Sequence, residues 1–150
     1  MLIRFEMLWW VLTLLVAAAV LFPVFSMAPA FPFFFDNIIF IVTFITLTRY
    51  IFLLPHTFLA RRQILKLALM FLSVPFIFFL VQQLNGFQTF LDENGPEALV
   101  GALPYARTNS MTGYIRSEML LFATGSIIAA VIFPFRMVVS VWRVRNLGRE

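Results

Sequence analysis

Arg49 and Arg136 are the residues whose type and setting best suit chemistry. Each closes a long apolar run, and an ionisable group in such a run is a functional site by default. Arginine presents a planar fork of donors that grips a phosphate or carboxylate through two hydrogen bonds. If the two runs lie side by side, the arginines form a site for an anionic phospholipid headgroup or another anion. Thr46, three residues before Arg49, and His56, seven after it, share its helical face if that helix continues so far. The plainer alternative is that both arginines snorkel to headgroups at a membrane edge.

The remaining polar residues offer less. His56 is the only histidine and there is no cysteine, which makes a poor metal site and rules out a bis-histidine haem within one chain. Asp92, Glu93 and Glu97 do not have the spacing of an EF-hand loop and read as a solvated face. Asp36 and Glu118 fall at the ends of two apolar runs. They could pair with Arg116 or take part in a proton path, and acids that stay in water at helix ends explain them as well. Gly-x-Ser-x-Gly, His-Glu-x-x-His and phosphate-binding glycine loops are all absent. The expectation is therefore a protein with no enzymatic activity, cofactor or metal.

The elements that must position these residues follow from composition. Of 150 residues, 62% are hydrophobic, 20 are phenylalanine and only 12% are charged. Soluble domains carry about 25% charge, and a soluble fold of this size could not hide so much apolar surface. The solvent is the lipid bilayer, and the fold class is an all-α polytopic membrane protein with a single membrane domain. The net charge of +4 sits at expected membrane edges, where anionic headgroups attract it. It is not a nucleic-acid signal.

Four transmembrane helices are expected, over residues 7–25, 33–54, 64–84 and 115–136, each close to the ~20 residues a crossing needs. Ser26-Met27-Ala28 resembles a signal-peptide cleavage site, but the run before it exceeds a usual signal h-region. It is expected to be a membrane helix. Trp9 and Trp10 suit a headgroup level. Pro55 should bend the chain after Arg49, laying residues 50–60 partly along the membrane surface. Pro75 should bend the third helix and free a carbonyl, for which Ser73 is a candidate partner. An extracytoplasmic loop over 85–114 should contain a small helix, 97–103, between Pro96 and Pro104. Pro134 and Arg136 should close the fourth helix, leaving 137–150 as a cytoplasmic tail. Within that helix Gly125/Ala129 and Ser126/Ala130 form two small-xxx-small pairs, a helix-packing face, with Ala17, Ala18 and Ala19 as the facing surface.

Charge orients the bundle. Arg4, Arg61, Arg62, Lys66, Arg143, Arg145 and Arg149 fall on one side, with Arg49 and Arg136 near its edge, and only Arg107 and Arg116 fall on the other. Positive loops are retained inside, so both termini are expected in the cytoplasm. The stretches Leu54-Pro55-His56-Thr57-Phe58-Leu59-Ala60-Arg61-Arg62-Gln63, Asn85-Gly86-Phe87-Gln88-Thr89-Phe90-Leu91-Asp92 and Trp142-Arg143-Val144-Arg145-Asn146 resemble uncharacterised bacterial four-helix membrane proteins. That resemblance implies a bacterial inner membrane and brings no activity with it. Three function classes remain. They are an accessory or scaffold subunit of a membrane complex, a small homo-oligomeric transporter or channel, and a membrane sensing domain acting through a partner.

Overall fold

The computed structural model describes residues 1–28, 31–101 and 105–149, with the side chains of 105 and 106 excepted. The described residues form four α-helices and no strands. The helices are α1 (Leu2–Met27), α2 (Phe34–Phe52), α3 (Gln63–Asn94) and α4 (Tyr105–Leu147). Each is long and apolar enough to cross a membrane. Two 3₁₀ turns, Leu54–His56 and Phe58–Arg61, join α2 to α3, and a third, Pro96–Leu99, follows α3. The end of the bundle holding the α2–α3 connection is the arginine-rich end.

Three helices outrun the sequence expectation: α1 begins at Leu2 rather than near Met7 and ends at Met27, and α3 and α4 overrun by far more. α3 has 32 residues and α4 has 43, so at ~1.5 Å per residue they measure about 48 and about 64 Å, against ~30 Å of hydrocarbon. The expected loop over 85–114 is therefore mostly helix. Residues 85–94 extend α3, and α4 begins at Tyr105 rather than near 115. The expected tail over 137–150 continues α4 as far as Leu147. Pro134 does not end that helix, because neighbouring turns hold the backbone through one missing bond. The expected helix 97–103 is a single 3₁₀ turn, and its last two residues lie outside the described residues.

What stops a helix is clearer where the backbone demands it. Gly95 follows α3 at φ +79°, a conformation open to glycine, and its N–H bonds Leu91 O at 2.9 Å. Pro96 comes next and has no donor to continue with. α2 ends with Leu53 N–H on Arg49 O at 2.7 Å, two residues before Pro55. Pro75 lies inside α3, and it frees the carbonyl of Phe71, four residues back. Ser73 does not serve that carbonyl. Its hydroxyl donates to Met70 O at 2.6 Å.

α4 is the hub. Met111, Ile115, Met119, Ala123, Ser126, Ala130, Phe133, Met137 and Ser140 are all buried, spaced three or four residues apart along one continuous stripe. α2 and α3 both pack along it. The main core joins Val24, Phe40, Leu80 and Phe87 to that stripe, and Tyr50, Leu54 and Leu59 form a smaller core at the arginine-rich end. α1 is seated differently. Ala17 and Leu21 pack on Ile41 of α2, while most of its other side chains stay exposed.

Candidate functional site

Arg49 lies in the last turn of α2 and is 6% exposed. A buried cation must be paired or its solvation loss goes uncompensated. Its partner is Glu6 of α1, which forms an ion pair with the guanidinium. The other Glu6 oxygen accepts from Phe58 N–H at 3.1 Å. One carboxylate thus ties α1, α2 and the second 3₁₀ turn together. The guanidinium carbon also lies 5.8 Å from the Trp9 ring centroid and 5.1 Å from that of Tyr50, within cation–π range. The sequence reading offered Arg49 a lipid phosphate or another anion. In the structure the anion beside it is a protein carboxylate, from 43 residues earlier in the chain.

Arg136 is equally engaged with protein. Its Nε–H donates to Ile51 O at 3.0 Å, joining α4 to the end of α2. The acceptor has a physical origin. Ile51 precedes Pro55 by four residues, and proline has no N–H to offer that carbonyl. Both arginines therefore meet at the last turn of α2, as the sequence suggested, but both are turned inward as struts. His56 does not join them, because α2 ends at Phe52 and the 3₁₀ turn carries the imidazole out to the surface.

Lys66 is the interaction that sequence reading missed. It is fully buried in the first turn of α3. Its Nζ donates to Ala60 O at 2.8 Å and to Ser140 Oγ at 2.5 Å, so it fastens α3 and the second 3₁₀ turn to α4. The signal was present. Ser140 follows Met137 and Phe133 on the buried stripe of α4, where a hydroxyl needs a partner.

The opposite end carries a matching tie. Asn37 of α2 and Glu118 of α4 are both buried, and the Asn37 carboxamide donates to the Glu118 carboxylate. Glu118 is thus a helix-to-helix contact rather than an acid resting in water. The second oxygen of Glu118 and the oxygen of Asn37 have no hydrogen-bond partner among the described residues. The Gln83 amide, with its nitrogen turned toward Asp36, donates to that carboxylate at 3.1 and 3.2 Å and links α3 to α2. Tyr114 Oη donates to Val20 O, which links α4 to α1.

Between the two ends, Thr13, Ser73 and Ser126 bond their own helices. Thr13 donates to Trp9 O at 2.7 Å and Ser126 to Ala123 O at 2.8 Å. The small-residue face is buried at Ser126, Ala129 and Ala130. Its partner is not the alanine run of α1, where Ala18 and Ala19 are exposed. Gly125 lies instead against the ring of Phe44 on α2. A groove of about 470 Å³ opens between α2, α3 and α4, with Thr46, Tyr50 and Ser73 among otherwise hydrocarbon walls. Among the described residues, no cluster of three or more histidines and acids is placed to hold a metal. A scan against protein-family models and searches of curated proteins and of solved structures each found no match, so function is argued from this bundle's own chemistry.

Proposed function

We propose that this chain is an accessory or scaffold subunit of a membrane complex, placed in a bacterial inner membrane with both termini cytoplasmic. One observation carries the reading. Arg49, Arg136, Lys66 and Asn37 each bond across to another helix, while Thr13, Ser73 and Ser126 bond back to their own. The buried polar groups thus serve to hold helices in register. α1 and α3 meanwhile leave long apolar faces outward, including Leu14, Leu15, Phe22, Phe71 and Phe78. Orientation rests on charge. Arg4, Arg61 and Arg62 are exposed at the arginine-rich end, and Asp92, Glu93 and Glu97 at the other. Affinity purification in mild detergent tests the reading. A larger membrane protein recovered in fixed ratio supports it, and a lone homo-oligomer overturns it.

The second reading, a small oligomeric transporter or channel, is favoured by one feature. The two unpartnered oxygens of Asn37 and Glu118 lie buried between α2 and α4, where an ionisable group marks a pathway in many membrane proteins. Ion or proton flux in reconstituted vesicles, lost in Glu118→Gln, would favour this reading over the scaffold.

A further inference from the structure

A cleft of about 920 Å³ lies at the arginine-rich end, between the start of α1 and the 3₁₀ turns. Leu2, Ile3 and Phe5 form one wall, and Pro55, His56 and Arg61 the other. The two walls are held in place. The Phe58 N–H bond to Glu6 fixes the turns to α1, and Thr57 Oγ1 donates to Leu54 O at 2.8 Å within them. We infer that this cleft binds one anionic phospholipid, with Arg61 and His56 on its phosphate and the start of α1 along its acyl chain.

Charge and surface chemistry together select that occupant. Arg61 and His56 are exposed, and neither is in an ion pair among the described residues. Glu6, the acid in the first turns of α1, already serves Arg49 and Phe58 N–H. The cleft therefore has positive charge without local compensation, and arginine offers a phosphate two parallel donors. Ile3 is 75% exposed and Phe5 49% exposed. A free phosphate would leave that hydrocarbon uncovered, whereas a phospholipid covers it with a chain. The cleft adjoins the α2–α3 connection, at the arginine-rich end. This site is separate from Arg49 and Arg136, and it holds whether the chain acts as scaffold or transporter.

The test uses the full chain, delipidated in mild detergent, with bound lipid counted by native mass spectrometry. The probes are short-chain phosphatidylglycerol, phosphatidylcholine and glycerol 3-phosphate. Phosphatidylglycerol should bind about tenfold more tightly than phosphatidylcholine, and the double variant Arg61→Gln, His56→Gln should lose about that factor, the size expected of a charged hydrogen bond. Ile3→Asn with Phe5→Ser attacks the hydrocarbon wall from exposed positions that the fold does not need, and it should weaken lipid binding as well. Retention of phosphatidylglycerol by either double variant overturns the proposal, as does equal binding of the two lipids. Glycerol 3-phosphate binding as tightly as the lipid would make this a soluble-anion site and would equally overturn it.

Discussion

Gly125 offers the sharpest test of how α4 holds α2. A Cβ at this position would fall 2.7 Å from two atoms of the Phe44 ring. Carbon atoms rest at ~3.5–4.0 Å, so ring or helix must yield by roughly 1 Å. The ring is not free to swing, because Phe44 meets Phe122 edge-on with centroids 5.7 Å apart, a contact worth about 0.5–1.5 kcal/mol. Two effects then oppose each other in Gly125→Ala. Alanine gains ~0.8–1.0 kcal/mol of helix propensity, while overpacking costs ~1–3 kcal/mol. The clash should win, with a net loss of about 1 kcal/mol for alanine and about 3 kcal/mol for leucine, whose branch cannot fit. Thermal unfolding in detergent, followed by circular dichroism, reads both. The decisive arm is the double variant with Phe44→Ala. Removing the ring should restore most of the Gly125→Ala loss, as a coupling of about 1 kcal/mol. A Gly125→Ala protein at least as stable as the parent, with no coupling to Phe44, would refute the close-approach argument.

Other perturbations follow from the ties at the two ends. Glu6→Gln strands the buried guanidinium of Arg49 and should cost about 3–5 kcal/mol, partly recovered by adding Arg49→Gln; thermal midpoints of the single and double variants check it. Arg136→Met removes the donor to Ile51 O and should cost ~1–3 kcal/mol. Adding Pro55→Ala, which restores an N–H four residues on, should soften that loss in the same unfolding assay. Ser140→Ala takes an acceptor from buried Lys66 and should cost ~1–3 kcal/mol, whereas Ser140→Thr should stay near the parent. Reporter fusions after Asn94 and after Glu150 should report opposite sides of the membrane, and agreement between them would overturn the proposed topology.

How much of this was legible in the sequence depends on the range of the interaction. The four apolar helices were, because lipid demands an unbroken hydrocarbon surface over a fixed length. Their ends were not. Residues 85–94 and 137–147 are less apolar than the spans, so hydropathy closes the helices early, yet nothing in the backbone there breaks helix until Gly95 and Gly148. Arg49 and Arg136 stood out by type, whereas the Ile51 carbonyl that Arg136 meets did not. Ser140 could be seen to need a partner from its place on the stripe, but neither Lys66 as that partner nor Glu6 as the partner of Arg49 was legible. Each pair is set by how distant helices align, which local spacing does not encode.

The central position of α4 has a consequence for the order in which the chain is made. Synthesis delivers the N-terminal segments first. Glu6 finds Arg49 as soon as α2 has followed α1, so the first hairpin neutralises its own charge early. Asn37 has no such relief, and Lys66 has only part of it, from Ala60 O. Their partners, Glu118 and Ser140, lie on the last helix to emerge. Until α4 arrives, the nascent chain carries an amide without its partner and an ammonium with only one of its two acceptors in place. Assembly therefore has a late, decisive step, in which a single helix closes the structure along its whole length. A chain truncated before α4 would lack its hub and is the form a membrane quality-control protease should recognise.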